Sequence, residues 1–233
     1  MTQRTLVLLS WSGGKDAAWT LHALRQRDDV EVVALLTTLT AEYQRVSMQG
    51  IRRDVLHAQA AATGLPLIEA QIPLACDNAR YEAAMSQALA QANARWPDLR
   101  TAAFGDLFLE DIRAYREQRC AAVGWQVMTP LFGAGTPRLA RDMIAGGLRA
   151  SLCCVDTQQL DAAFAGRDFD ADLLRDLPPD CDPCGENGEF HTCVRAGPMF
   201  SRAISVERGD TTLRDGRFAF TDFLLEDLAP DPR

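Results

Sequence analysis

The stretch TLVLLSWSGGKDAAWTLHALRQR, residues 5–27, decides the fold of this chain. Its first six residues form an apolar run that ends at Ser10, and a Ser/Gly turn follows. After the turn, Ala17, Leu21 and Leu24 recur at the spacing of one helix face. A buried strand, a short turn and an amphipathic helix are typical of a βα unit in a parallel sheet. The stretch therefore predicts an α/β protein.

The same alternation continues through the first half of the chain. The predicted strands are residues 5–10, 30–39, 67–72, 101–104 and 126–129, with helical patterns between them. We therefore predict a parallel five-stranded sheet in a domain of residues 1–130, with helices on both faces. A small C-terminal α+β domain is predicted for residues 131–233, in which two strands flank a hairpin turn at Asp215-Gly216.

The composition excludes several classes of protein. The 233 residues are 47% hydrophobic and 24% charged, which excludes collagen-like, coiled-coil and wholly disordered chains. With 24 Lys+Arg against 32 Asp+Glu, the net charge of −8 disfavours nucleic acid and anionic membranes as partners. No apolar run approaches the roughly 20 residues of a membrane span, and no signal-peptide pattern opens the chain. We therefore expect a cytoplasmic protein with no membrane association.

The cysteines allow two interpretations. Seven is an odd number for a secreted disulfide framework, so we expect reduced thiols. Cys181, Cys184, His191 and Cys193 nevertheless offer four zinc-type ligands within thirteen residues. The His-x-Cys spacing is short for a usual zinc knuckle. Unligated thiols are therefore the expectation, and structural zinc is the alternative.

The turn Ser12-Gly13-Gly14-Lys15-Asp16 predicts a phosphate-binding site. Backbone N–H groups of a glycine-rich turn and of a helix N-terminus converge there. Lys15 adds a positive charge, Asp16 suits a helix cap or a Mg²⁺ ligand, and Ser10 and Ser12 add hydroxyls. The alternative is a tight βα turn with an ordinary cap. The spacing matches neither Walker A nor the Rossmann GxGxxG pattern.

A second group of polar residues follows the fourth predicted strand. Gly105 and Asp106 lie at the carboxyl edge of the sheet, where open α/β sheets bind ligands. Glu110 and Arg113 are on the next helical turn, and with Asp106 they could hold Mg²⁺ and an anion. A capped helix with a Glu–Arg surface pair is the alternative. Arg116 lies within the apolar arc of this helix, so it either extends its charge to water or faces a site.

The densest polar segment is DPCGENGEFHT, residues 182–192. Two glycines alternate with Glu186 and Glu189, and His191 follows. We interpret the segment as a loop that presents side chains. A merely acidic, solvated loop is the alternative, but it gives no reason for the Phe-His-Thr that ends the segment.

Together these motifs resemble a known family. SGGKD (residues 12–16), GDLFLEDIR (105–113) and CGENGEFHT (184–192), in this order, resemble the diphthine-ammonia ligases. That family belongs to the PP-loop ATP pyrophosphatases of the adenine-nucleotide alpha-hydrolase-like superfamily. The resemblance implies a Rossmann-like, HUP-type sheet. It also implies an ATP-dependent ligase that adenylates a carboxylate, releases pyrophosphate and lets ammonia displace AMP.

The resemblance also implies roles for individual residues. ATP would be bound by Ser10, Ser12, Gly13, Gly14, Lys15, Asp16, Gly105, Glu110 and Arg113. Mg²⁺ would be held beside ATP by Asp16 and Asp106, and the catalytic group would be Asp106, Glu186, Glu189 and His191. The family's best-known carboxylate is diphthine, which is carried on a protein. Ala17 replaces a usual Ser or Thr of the motif, and Asp111-Ile112 replaces a usual Tyr-Gln.

Two other functions compete with the ligase. An ATP/AMP-binding sensor without turnover would explain the phosphate loop, but it has no need of an acidic, His-containing loop. A tRNA-modifying PP-loop enzyme is disfavoured by the charge of −8. The sequence leaves open the carboxylate substrate, the nitrogen donor, the choice between monomer and homodimer, and whether Glu189 or His191 is the base.

Overall fold

A mostly parallel sheet forms the first half of the molecule. A computed structural model describes residues 4–226. The strands of this sheet are β1 (Thr5–Ser10), β2 (Val30–Thr40), β3 (Arg45–Val46), β4 (Leu67–Ile72), β5 (Thr101–Ala103) and β6 (Gln126–Met128). Strands β4, β2, β1, β5 and β6 lie side by side and parallel, whereas β3 pairs antiparallel with the end of β2. The sheet therefore has six strands and not the five predicted, because a two-residue strand leaves no periodic pattern in the sequence.

Helices cover both faces of this sheet. The α-helices of residues 4–226 are α1 (Lys15–Arg25), α2 (Arg53–Thr63), α3 (Asn78–Arg95), α4 (Glu110–Ala122), α5 (Thr136–Ala145) and α6 (Ala171–Asp176), of which α1 to α4 contact this sheet. Successive side chains of strand β1 point to opposite faces of the sheet, so a layer of helices is needed on each face to bury them. Val7 and Leu9 belong to the core that contains residues of α1 and α2, and Leu8 belongs to the core that contains residues of α3.

A second sheet, wholly antiparallel, follows in the chain. It contains β7 (Arg149–Asp156), β8 (Phe190–Ala196), β9 (Val206–Arg214) and β10 (Phe218–Leu225), in the order β8-β7-β10-β9. The predicted hairpin is confirmed: β9 and β10 pair antiparallel, Asp215 and Gly216 both have positive φ, and Arg217 N donates to Arg214 O at 3.0 Å to close the turn. The interpretation of residues 182–192 as one loop is wrong at its end, because β8 begins at Phe190 and pairs with β7.

The two sheets share one buried core. Val7 and Leu9 of β1 lie in the same cluster of buried residues as Leu152 of β7 and Val194 of β8. A hydrogen bond from Val194 N to Gly13 O, 3.0 Å, joins β8 directly to the turn after β1. The α/β class with a second, antiparallel sheet is confirmed, and the division at residue 131 stays a prediction. Within residues 4–226, no helix is long and apolar enough to cross a membrane.

Candidate active site

A cleft of about 230 Å³ opens at the carboxyl edge of the parallel sheet. The turn after β1, the end of β5 and the start of β8 form its walls. Nine of the predicted site residues line it, together with seven residues outside that predicted set. The predicted ones are Ser10, Ser12, Gly14, Lys15, Asp16, Gly105, Asp106, Glu186 and His191, and the others are Ala17, Gln49, Phe104, Arg116, Gly185, Phe190 and Thr192.

Gly13 determines the shape of the turn of residues 12–16. Its φ is +77°, and a Cβ there would lie 2.6 Å from Gln59 Oε1. The fully buried Gln59 donates from Nε2 to Gly13 O at 3.0 Å and to Val194 O at 2.7 Å. Gly13 itself does not line the cleft. It is therefore required for the shape of the loop, since only glycine adopts this φ without strain in so small a space.

Strand β8 holds the start of α1. Lys15 N donates to Thr192 Oγ1 at 3.0 Å, and a Cβ on Gly14 would approach Thr192 O to 3.2 Å. An amide at a helix N-terminus has no partner within its own helix, and here a side chain from the other end of the chain supplies one. No pattern in the sequence indicates this contact, because 177 residues separate the two groups.

Lys15 is a buried cation at the floor of the cleft. Its side chain is 2% exposed, and Nζ lies 2.8 Å from Asp16 Oδ2. Nζ also faces the rings of Phe169 and Phe190, with ring centroids 5.8 and 5.4 Å away. Burial alone would lower the pKa of Lys15, but the negative groups around it, Asp16 first among them, raise it above its usual value. Lys15 is therefore positive at neutral pH and available to an anion.

Only one carboxylate oxygen of Asp16 has a partner within residues 4–226. Oδ2 is paired with Lys15, whereas Oδ1 is buried and has no hydrogen-bond partner among the described residues. A buried carboxylate oxygen without a partner is costly unless a ligand satisfies it. Within residues 4–226, no three His, Cys, Asp or Glu side chains converge to hold a metal ion alone. Asp16 therefore fits Mg²⁺ that is also held by phosphate oxygens and water.

The end of β5 packs tightly against the start of α1. A Cβ on Gly105 would lie 2.9 Å from the backbone carbonyl carbon of Asp16. Asp106 follows, and its Oδ2 is 2.8 Å from Nε of Arg116 on α4. These two atoms form an ion pair but no well-directed hydrogen bond. The sequence placed Arg116 in an apolar arc as a residue that could face a site, and the structure shows that it does.

Glu186 enters the cleft from the opposite side. Its Oε1 accepts a hydrogen bond from Leu107 N at 2.7 Å, which ties the 182–189 loop to the segment after β5. Burial raises the pKa of Glu186 to about 7, and Asp16 adds to the rise. The side chain can therefore gain or lose a proton near neutral pH.

Glu189 and His191 have different environments. Glu189 is buried and lies outside the cleft lining, and its Oε1 accepts from Asp182 N at 2.9 Å and from Asn187 Nδ2 at 3.0 Å. His191 lines the cleft, where burial and Lys15 lower its pKa to about 4. The sequence could not indicate this shift of the His191 pKa, because it arises from burial beside Lys15.

The helix after β5 contributes less than predicted. Glu110 is exposed and lies outside the cleft. Arg113 donates from Nε to Glu117 Oε1 at 2.8 Å, and its guanidinium carbon lies 4.6 Å from the centroid of the Phe132 ring. The predicted roles of Glu110 and Arg113 in nucleotide binding therefore gain no support from their positions.

A second, more apolar cavity of about 290 Å³ adjoins the cleft. Side chains from the middle strands and from α3 line its inner wall, and the 46–49 segment lines its outer wall. Five residues line both spaces, namely Ser10, Ser12, Gln49, Phe104 and Arg116. The polar cleft and the apolar cavity are therefore adjacent, and together they offer room for a ligand with a polar and an apolar part.

The thiols do not form disulfides. All seven cysteines lie within the described residues and are free, and Cys153, Cys154, Cys181, Cys184 and Cys193 are buried. Burial raises the pKa of Cys184, beside the cleft, to about 12. The Cys184 thiol is therefore protonated, and a weak nucleophile, at neutral pH.

Family models match both halves of the chain. The model described as "Diphthamide synthase N-terminal domain" matches residues 3–127, and "Diphthamide synthase C-terminal domain" matches residues 136–219. The chain belongs to the diphthamide synthase family. A member of known name, "Diphthine--ammonia ligase" of Schizosaccharomyces pombe, is 25% identical over 209 residues, which is 83% of this chain and 34% of the relative. The present chain therefore spans about a third of the length of that relative.

Proposed function

We propose that the protein is an ATP-dependent, amide-forming ligase. A carboxylate oxygen of the substrate attacks the α-phosphorus of ATP, the bond to the β-phosphate breaks, and pyrophosphate leaves. Ammonia then attacks the acyl carbon, the carbon–oxygen bond to AMP breaks, and the nitrogen loses a proton. The relative from S. pombe is named for joining diphthine and ammonia. The carboxylate that this chain uses, free or carried on a protein, is not fixed by that likeness.

The observation that carries the proposal is the two-sided cleft. One wall is a glycine-rich turn with a buried lysine, and the other presents Glu186 and His191 from the far end of the chain. Lys15 N and Thr192 Oγ1 join the walls. A binding module needs only the first wall, whereas a ligase also needs groups that handle a second substrate and a proton.

ATP would lie across the two adjoining spaces. The adenosine would occupy the apolar cavity and the phosphates the polar cleft, where the amides of the phosphate loop and Lys15 offer positive charge. The order of the parallel strands supports a HUP-type fold. The crevice opens outside the carboxyl end of the central strand β1, where open α/β sheets bind ligands. On this proposal residues 1–130 are the ATP-binding part and residues 131–233 the substrate side.

Asp16 and Asp106 would hold Mg²⁺ beside the phosphates. The buried Oδ1 of Asp16 without a partner supports this role most directly. The ion would offset the negative charge of the departing pyrophosphate. Lys15 would do the same from the floor of the cleft, where little water screens its charge.

Glu186 is the best-matched proton acceptor for the attacking nitrogen. A general base works best when its pKa is near the working pH, and the pKa of Glu186 is about 7. His191, with its pKa at about 4, is neutral at that pH and is a weak base. Glu189 is outside the cleft and steadies the loop that carries Glu186. The structure therefore favours Glu186 over the two residues between which the sequence left the choice open.

Oxygen labelling tests the proposal. The protein is incubated with ATP, Mg²⁺, ammonium and a carboxylate labelled with ¹⁸O, with diphthine as the first probe. We expect AMP and pyrophosphate as products and one label transferred from the carboxylate to AMP. ADP and phosphate as products, or AMP labelled only from solvent, would contradict the adenylation step. A sensor would give no AMP at all.

A further inference from the structure

Arg116 occupies the junction between the two cavities. It is the one cationic side chain among the five residues that line both spaces, whereas Lys15 lines only the polar cleft. Its guanidinium carbon lies 4.3 Å from the centroid of the Phe104 ring, which holds the planar group in a fixed orientation.

The guanidinium has unused hydrogen-bond donors. Nε lies beside Asp106 Oδ2, but neither atom has a hydrogen-bond partner among the described residues, although both are buried. The terminal nitrogens of Arg116 donate no hydrogen bond to any residue of 4–226 either. The side chain is 32% exposed and its Nε is ion-paired with Asp106, so the guanidinium is stable without a ligand while its terminal N–H groups stay free of hydrogen bonds to the described residues. A ligand that supplies acceptors at the junction would be bound by these donors.

The junction corresponds to one particular part of a nucleotide. With adenosine in the apolar cavity and the terminal phosphates beside Lys15, the group between them is the α-phosphoryl. Arginine suits this position, because its planar fork matches the spacing of two phosphate oxygens. Lys15, a compact charge, suits the pyrophosphate end.

We propose that Arg116 binds the α-phosphoryl group of ATP and stabilises the negative charge that builds on its oxygens as the carboxylate attacks. The second half of this statement rests on the proposed ligase function, and the first half requires only that a nucleotide binds across the two cavities. When pyrophosphate has left and the acyl adenylate is still bound, Arg116 remains in contact with its phosphate. The same residue then offsets the charge of AMP as the nitrogen displaces it.

The alternative role for Arg116 is purely structural, as the partner of the half-buried Asp106. A series of ligands separates the two roles. Binding of adenosine, AMP, ADP and ATP is measured by calorimetry for the wild-type protein, Arg116→Met and Arg116→Lys. The matched control is Arg119→Met, one turn further along α4, since Arg119 pairs with Glu82 outside both cavities. Thermal unfolding of each variant shows that it is folded.

We expect Arg116→Met to weaken AMP and ATP binding by a similar factor, roughly 10- to 100-fold, and to leave adenosine binding unchanged. Arg116→Lys should recover part of the loss, and Arg119→Met should bind all four ligands as the wild type does. Weaker ATP binding with unchanged AMP binding would place Arg116 at the terminal phosphates and overturn the proposal. Equal losses for adenosine and AMP would show a structural role and overturn it as well, and so would unchanged binding of all four.

The outcome is independent of the reaction catalysed. If the wild-type protein forms ADP and phosphate, the ligase proposal fails, but the ligand series still decides whether Arg116 contacts the α-phosphoryl. If AMP is formed, kcat and KM separate the two contributions of Arg116. If Arg116 stabilises the transition state, Arg116→Met should lower kcat in addition to raising KM for ATP.

Discussion

Gly105 lets the end of β5 and the start of α1 come close enough to form the site. Because the neighbour of a Cβ at this position is the backbone of Asp16, at 2.9 Å, it cannot move aside as a side chain could. We expect Gly105→Ala to cost about 1–3 kcal/mol of unfolding free energy. ATP binding should weaken as well, because Asp16 and Lys15 would shift. Chemical denaturation and calorimetry measure the two effects.

Gly135 provides the control for this substitution. It has a negative φ of −64°, and a Cβ there would have no atom within 4 Å. Gly135→Ala should therefore change stability by less than about 1 kcal/mol and leave ATP affinity unchanged. Equal effects of the two alanines would show that close packing at Gly105 is not what the site requires.

Glu186 gives the site a measurable pH dependence. Its pKa of about 7 in the folded protein lies above the ordinary value of 4.5. Between these two values the folded state binds more protons than the unfolded state, so this residue makes stability fall as the pH rises. Glu186→Gln keeps an acceptor for Leu107 N but does not titrate. We expect the variant to gain stability relative to the wild type between about pH 5 and about pH 8.

Glu69 serves as the control, because its pKa is shifted in the opposite direction. Arg53 and His57 lower its pKa by hydrogen bonds and charge, against the effect of burial. Its contribution is therefore present above its unfolded pKa and is lost as the pH falls. Glu69→Gln should lose stability at neutral pH, where Glu186→Gln gains it. A Glu186→Gln variant whose stability relative to the wild type is independent of pH would contradict the raised pKa.

At the level of the elements, the sequence predicted what is local. The residues of the βα turn from Ser12 to Asp16 signal their own position, because a strand, a glycine pair and a helix are adjacent in the chain. The contacts of Thr192 and Gln59 with that turn join residues 177 and 46 positions apart, and no pattern in the sequence reports them. For the same reason the sequence could not distinguish Glu186, which faces the cleft, from Glu189, which supports the loop.

Helix α2 contacts the turn of residues 12–16 through hydrogen bonds of one side chain, Gln59. Gln59 donates to Gly13 O and Val194 O and accepts from Trp11 Nε1 at 3.3 Å. Gln59→Leu would remove these three buried hydrogen bonds, although Gly13 O would keep the one from Val194 N, and we expect it to cost at least about 2 kcal/mol of unfolding free energy and to weaken ATP binding. Gln71→Leu, on the exposed side of β4, is the control and should bind ATP normally. Normal ATP affinity in a folded Gln59→Leu protein would show that these hydrogen bonds do not determine the shape of the turn.

For the whole molecule, the shared core determines how the chain unfolds. Buried residues of β1 and β8 belong to one cluster, and Asp222 on β10 binds Arg45 at 2.8 Å and Arg52 at 2.6 Å from the first half of the chain. Neither half can expose its side of that core without exposing the other. We therefore expect a single thermal transition in which the calorimetric and van't Hoff enthalpies agree. Asp222→Ala should lower its midpoint without splitting it, because the apolar core remains continuous. Two separate transitions in the wild-type protein, or in this variant, would mean that the halves are independent folding units, of which one unfolds before the other.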